Sequence, residues 1–260
     1  VNNKWLAVQH NAIEKAMLIK SKLKYIQSLG QKKPRDEEGV FIAEGPKLVN
    51  DLLSYGRAEV KEIFALKSWL DVNKKYIAHA EATEVSEEEL NRISQLSTPN
   101  QVLAVVKKMD WGNTIQVKNK ITPVLQTIQD PGNLGTIIRT ADWFGIEQIV
   151  CSHDCADVYN PKVVQATMGS IARVKIFYTD LPGWMSRQKD IRIYATALQG
   201  KDISQLNKLR EGIIIIGNEA KGVSKDLLEL SNVKITIPGK GKAESLNAAV
   251  ATGIILHQIC

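Results

Sequence analysis

What the 260 residues lack removes several classes of protein at once. No apolar run reaches the roughly 18–20 residues that a membrane-spanning helix needs, and the opening VNNKWLAVQH lacks the charged-then-apolar order of a secretory signal. A reducing, internal location is expected, cytoplasmic and away from any membrane. Cysteine is scarce: Cys151, Cys155 and Cys260 are an odd number without a disulfide framework. Cys151, His153 and Cys155 crowd together in CSHDC, but a zinc site needs four placed ligands. The other histidines, His10, His79 and His257, are scattered, and CSHDC follows directly on a strand. A structural role is expected there, and no metal. The first residue is not Met, so leader or added residues within the first twenty positions are allowed for.

What is present is a globular composition, 44% hydrophobic and 24% charged, over a length that suits one large or two ordinary domains. The net charge of +6 is unevenly spread. Residues 1–35 carry Lys4, Lys15, Lys20, Lys22, Lys24, Lys32, Lys33 and Arg35 against the single acid Glu14, so the remainder of the chain nearly balances. With Trp5 and Tyr25 among them, these cations suit a phosphate backbone; on charge alone a solvated helix face fits as well. Residues 36–108 read as a compact α/β unit. It has strands at 40–43, 62–66 and 102–106, a helix at 45–54 stopped by Gly56, and a Ser86/Glu89 capping box opening a helix that reaches Leu96. The polar KKMDWGNTIQVKNK at 107–120 is a linker. The domains are therefore placed at 1–110 and 111–260.

Beyond residue 122, strands at 124–128, 148–151, 174–177, 191–195, 213–216 and 233–237 alternate with helices, which argues a parallel sheet covered on both faces. The second domain is organised around 125–150, LQTIQDPGNLGTIIRTADWFGIEQIV. Here a buried strand runs into a tight Asp130-Pro131-Gly132-Asn133 turn, with Pro131 presetting φ and Gly132 free to take positive φ. A helix follows with Ile138, Ala141 and Gly145 on its apolar face and Arg139 off it. Ligands of open α/β sheets bind beyond the carboxyl ends of the strands, which makes Asn133 and Arg139 site candidates.

Two more motifs stand at strand ends. IIIIGNEAKGVS, 213–224, nearly matches a phosphate-cradling loop through Gly217, Gly222 and Ser224. However, Val223 stands where the lysine is required, and Glu219 would repel phosphate. In 235–259, ITIPGKGKAESLNAAVATGIILHQI, a loop with Gly239 and Gly241 leads to Glu244-Ser245-Leu246-Asn247, read as the opening of the last helix. Ser245 suits an N-cap, and Asn247, a poor helix former inside the first turn, calls for a specific contact.

NLGTIIRTADWFG, IIGNEAKGVS and IPGKGKAESLNAAVATG together resemble, in order, the three signature motifs of the SpoU/TrmH family of S-adenosylmethionine-dependent RNA 2′-O-ribose methyltransferases, in the SPOUT superfamily. FIAEGPKLVNDLL, after KYIQSLGQKKPR, resembles that family's ribosomal-protein-like α/β substrate-recognition domain. Gly239 departs from the methionine common after Ile-Pro. The resemblance implies an α/β fold with a SPOUT-type trefoil-knotted parallel sheet, and a homodimer formed through the C-terminal domain. S-adenosyl-L-methionine would be held by Ala197, Leu198, Gly217, Asn218, Ile237 and Leu246. The catalytic and substrate-contacting set would be Asn133, Arg139, Glu219, Ser245 and Asn247. Arg139 would act on the 2′-OH proton or, since guanidinium stays protonated, orient the nucleotide electrostatically. Glu219 would orient Arg139 or a neighbouring backbone N–H. Ribosomal RNA is the favoured substrate. Transfer RNA, an inactive RNA-binding module and a nucleotide triphosphatase are the alternatives.

Overall fold

A computed structural model describes residues 21–55, 57–77 and 80–260. Lys4, Trp5, His10, Glu14, Lys15, Lys20, Gly56 and His79 lie outside the described residues. The chain divides into two compact units, 1–108 and 109–260. No described helix is long and apolar enough to cross a membrane.

The first unit carries strands β1 (Val40–Glu44), β2 (Val60–Ala65), β3 (Glu81–Glu84) and β4 (Val102–Lys107), in the order β1-β4-β2-β3. Helices α1 (Lys32–Glu38), α2 (Pro46–Ser54), α3 (Lys67–Asn73) and α4 (Glu87–Ile93) accompany them. β1 is buried along its whole length and β4 at every residue but Lys107, which is why both read as continuous apolar runs without alternation. Ser86 and Glu89 do form a reciprocal capping box on α4. That helix stops at Ile93 and does not reach Leu96, because Ser94 is extended and, with the Gln95 N–H, donates to the buried Glu44 carboxylate. Burial pushes the Glu44 carboxyl above its ordinary range, while these two donors pull it back.

The described part of the basic segment is largely occupied within the fold. Arg35 is only 1% exposed and donates from Nη1 to the carbonyls of Leu29 and Gly30, each at 2.9 Å. Lys22 bridges Glu62 and Glu81 at 2.9 and 2.7 Å, Lys32 pairs with Asp36, and Tyr25 packs against the core. Arg35 is thus a structural cation, and the exposed cations among the described residues of this segment are Lys24, Lys32 and Lys33.

The second unit holds a six-stranded, wholly parallel sheet in the order β10-β8-β9-β5-β6-β7. Its strands are β5 (Ile121–Leu125), β6 (Gln148–Cys151), β7 (Lys175–Tyr178), β8 (Ile193–Asp202), β9 (Gly212–Ile216) and β10 (Val233–Thr236). Its helices are α5 (Pro131–Trp143), α6 (Pro161–Thr167), α7 (Leu181–Met185), α8 (Lys225–Leu230) and α9 (Ala248–Ile259). All five residues of β9 are buried, as expected of a central strand with both faces covered. Val124, Val150, Ile193, Ala195, Ile213 and Ile215 pack with Trp184, Met185 and Leu227 as one core cluster.

Several local readings change. β5 runs over Ile121–Leu125 rather than 124–128, and beyond its end Thr127 takes a left-handed φ of 57° and turns the chain out of the sheet. Asp130 to Asn133 is the N-terminus of α5 and not a free turn: Asp130 is the N-cap, its carboxylate accepts from the Asn133 N–H at 2.7 Å, and Pro131 occupies the first turn. Gly132 has no positive φ, whereas Gly145, read as part of the apolar face, lies past the helix end with φ 71° and stops it. β8 is ten residues long, not five, and residues 196–200 bulge out between the partner pairs Ala195–Lys234 and Lys201–Ile235.

Arg35→Ala should destabilise the first unit by about 2–4 kcal/mol, through two carbonyls left unpaired and the space left behind. Urea unfolding followed by circular dichroism checks this, and an unchanged midpoint would refute it.

Candidate functional site

β5 and β9 are neighbours whose register pairs Leu125 with Ile216, so the loops leaving them start at the same level. From β5 the chain moves to β6 and β7 on one side, while β8 and β10 lie on the other. This is the switch point of the sheet, where diverging connections open a crevice. Gln126 joins the two loops reciprocally: its Nε2 donates to Ser224 Oγ at 2.7 Å, and the Ser224 N–H donates to its Oε1 at 2.8 Å.

Across this crevice runs a chain of three side chains from three separate motifs. Asn247 Nδ2 donates to Asn133 Oδ1 at 2.8 Å, and Asn133 Nδ2 donates to Glu219 Oε1 at 2.5 Å. Asn247 is the N-cap of α9, its Oδ1 accepting from the N–H groups of Ala249 and Val250 at 3.0 and 3.2 Å. It therefore stands before the helix rather than inside its first turn, and the cap role assigned to Ser245 belongs to it. Ser245 lies in the exposed 238–247 segment. Arg139 is exposed on α5. Glu219 bonds to the Asn133 side chain, where Arg139 or a neighbouring backbone N–H was the expected partner.

The Gly217 loop is closed on itself. A Cβ at Gly217 would fall 2.2 Å from the Gly222 carbonyl carbon, and the Gly222 N–H donates to the Asn218 carbonyl at 2.8 Å. Asn218 Oδ1 accepts from the N–H groups of Ala220 and Lys221, while its Nδ2 donates to the Thr127 carbonyl. Backbone donors that a phosphate cradle would point at a ligand are thus consumed inside the loop, which disposes of the triphosphatase reading. The same bonds occupy Asn218 Oδ1 and one of its two Nδ2 hydrogens.

The β8 bulge and the segment after β10 carry the remaining candidates. Ala197 and Leu198 sit in the β8 bulge, with Leu198 83% exposed and its carbonyl accepting from Thr236 Oγ1. Ile237 is half-buried after β10, and Leu246 is exposed just before Asn247.

CSHDC supports the site from the β6 side. The Thr127 N–H donates to Ser152 Oγ at 2.9 Å, its Oγ1 donates to Asp154, and Cys155 Sγ donates to the Leu125 carbonyl and accepts from the Ile128 N–H. Cys155 is drawn down to about 7 by its hydrogen bond with Cys151, and that bond together with burial pushes Cys151 well up. Among the described residues no group of three His, Cys, Asp or Glu is placed to hold a metal ion.

Residues 120–257 match the SpoU rRNA Methylase family, and residues 20–104 match the MRM3-like substrate binding domain. The chain belongs to the SpoU rRNA methylase family. It is 31% identical to the 23S rRNA (guanosine(2553)-2′-O)-methyltransferase RlmP of Bacillus subtilis, over 92% of this chain and 95% of that protein. Among solved structures it is similar to a putative RNA methyltransferase of the TrmH family from Porphyromonas gingivalis, at 33% identity and TM-score 0.80 over 92% of this chain and 96% of that one. An AdoMet-bound rRNA methyltransferase from Sinorhizobium meliloti is 31% identical with TM-score 0.81, over 91% of this chain and 92% of that one. The SpoU match contains the whole Asn247–Asn133–Glu219 chain. Thr127, Gln126 and the Ser152–Cys155 support are the parts that sequence reasoning missed; only CSHDC gave a signal, and it was weighed as a metal motif.

Gly217→Ala should cost at least about 2 kcal/mol, since backbone must yield to the new Cβ. Gly239→Ala should be nearly neutral, because nothing lies within 4 Å of that position. Equal unfolding midpoints for the two variants would contradict the closed-loop geometry.

Proposed function

We propose that this chain transfers the methyl group of S-adenosylmethionine to a ribose 2′-hydroxyl of ribosomal RNA. The observation that carries the reading is the Asn247–Asn133–Glu219 hydrogen-bonded chain at the switch point, with the exposed cation Arg139 on the same helix as Asn133. The names of the RlmP and S. meliloti relatives support both the donor and the RNA class. The first unit, matching a substrate-binding domain, is assigned the RNA recognition, and the cytoplasm is the place of action. The intact polar chain speaks against an inactive RNA-binding module.

The β8 bulge and the loops after β9 and β10 fit the donor. Exposed Leu198 and Leu246 offer apolar walls, Gly200 and Gly217 let backbone approach backbone where a Cβ would collide, and no acidic side chain is needed for a neutral adenine. Ala197, Leu198, Gly217, Ile237 and Leu246 would hold it, together with the Asn218 main chain. Bound there, S-adenosylmethionine supplies an electrophilic methyl group. The chain's own residues handle the nucleophile. A 2′-hydroxyl is a weak nucleophile until its proton is drawn off and its oxygen aligned, and alignment is worth several orders of magnitude. Arg139 holds the adjacent phosphate and favours the developing alkoxide. Asn133 and Asn247, fixed by Glu219 and by the α9 N-terminus, order the crevice, and Ser245 contacts the nucleotide from the exposed loop.

The trefoil knot and the homodimer belong to the same proposal. α9 follows β10 at the far edge of the sheet yet returns to α5, where Asn247 meets Asn133 and a Cβ at Gly253 would lie 3.8 Å from Thr140 Cγ2. That return past the β9 loop supports threading. α9 is apolar on nearly every face, exposing Val250 and Ile254 beside an α5 whose Trp143 is 85% exposed. A second copy of the chain would cover this two-helix surface, with Arg139 at its border.

Arg139→Ala should lower single-turnover methylation of ribosomal RNA by about 10²-fold or more, with folding and donor binding retained. Arg139→Lys separates the two roles, partial activity favouring charge and full loss favouring guanidinium geometry. A wild-type rate for the alanine variant would remove Arg139 from the mechanism. Ile254→Glu should yield monomers in sedimentation, and an unchanged dimer would exclude this face.

A further inference from the structure

Thr127 is a β-branched residue in the left-handed region at φ 57°, an uncommon and costly placement that persists only where surroundings enforce it. The surroundings here are specific. Its N–H donates to Ser152 Oγ at 2.9 Å, its hydroxyl donates to Asp154 Oδ2 at 2.8 Å, and its carbonyl accepts from Asn218 Nδ2 at 3.1 Å. An extended backbone at this position would continue β5 and could not present all three groups as they stand. Two of the contacts lie on the β6 side, and the third reaches the β9 loop.

That third contact leads into the polar chain. Asn218 spends its other amide atom on the N–H groups of Ala220 and Lys221, at 2.9 and 3.2 Å, and so shapes the turn that presents Glu219. Glu219 in turn fixes the amide orientation of Asn133, whose oxygen then faces Asn247. Thr127 touches none of the three residues in that chain directly.

We propose that Thr127 is a positioning residue for the methyl transfer. Its inverted backbone, held by the hydroxyl bond to Asp154, aims a carbonyl at Asn218 and thereby sets Glu219 against Asn133. The inference rests on the methyltransferase reading above.

The test is single-turnover methylation of a ribosomal RNA fragment at saturating donor and RNA, with donor affinity, RNA affinity and thermal midpoint measured alongside. Thr127→Val keeps the shape but loses the hydroxyl that holds the left-handed conformation. It should slow transfer tenfold or more while both affinities stay within twofold of wild type. Thr127→Asn, which tolerates that conformation, should recover the rate to within threefold. A general structural role would not separate Asn from Val, and would lower affinity and thermal midpoint together with rate. Thr127→Val transferring at the wild-type rate, equal slowing by both variants, or a loss confined to affinity would each overturn the proposal. Should the valine variant fail to fold, Asn218→Asp, which loses the donor to the Thr127 carbonyl, must slow the same step, and a wild-type rate there overturns it too. Absence of transfer by the wild-type protein would refute the methyltransferase reading and this inference with it. Active wild type with indifferent variants would refute the inference alone.

Discussion

The parallel pairing of β5 with β9 is the constraint on which the site depends. Since Leu125 faces Ile216 in register, the two loops that follow leave the sheet side by side, although 91 residues separate Thr127 from its partner Asn218. Connections from these strands diverge to opposite sides, so a crevice opens between them with main chain and polar side chains at its floor. Gln126 and Ser224 close its base with two reciprocal bonds. A shift of register by one residue would turn the alternate faces of both strands over and separate these partners.

On that floor the orientation of each amide is decided by its neighbours. An asparagine can face either way in isolation, but Glu219 as a carboxylate only accepts, so Asn133 must turn its NH₂ toward it and its oxygen toward Asn247. Asn247 must then donate to Asn133 and use its own oxygen for the α9 N-terminus. The chain thus runs from the positive end of a helix to a carboxylate, dipole-favoured at one end and charge-assisted at the other. Such an arrangement holds donors and acceptors in fixed directions before a substrate arrives, which is what transfer to a poorly nucleophilic hydroxyl requires.

The surroundings divide the remaining work. The β8 bulge and the segment after β10 are exposed and partly apolar, while α5 and α9 present a polar end at the site and an apolar flank beside it. The CSHDC segment braces the β5 loop. Its serine, aspartate and second cysteine are spent on the β5 loop, so a stretch with the appearance of a metal motif acts as a brace.

Composition and pattern by themselves determined two α/β units, the buried runs of β1, β4, β6 and β9, the Ser86–Glu89 capping box, and three strand-end motifs whose order pointed to the SpoU/TrmH family. Local signals sufficed because apolar runs, glycine stops and capping residues act within a few positions along the chain. Only the tertiary structure decided that Asp130 begins a helix, that Asn247 and not Ser245 caps α9, and that Arg35 is buried beneath its own loop. It alone showed Thr127 in a conformation its side chain disfavours, and Glu219 bonded to the Asn133 side chain. The last two arise from hydrogen bonds between residues 25 to 91 positions apart. Such bonds compensate local preference only once the parallel sheet has brought the strand ends together, so no stretch of sequence read singly contains them.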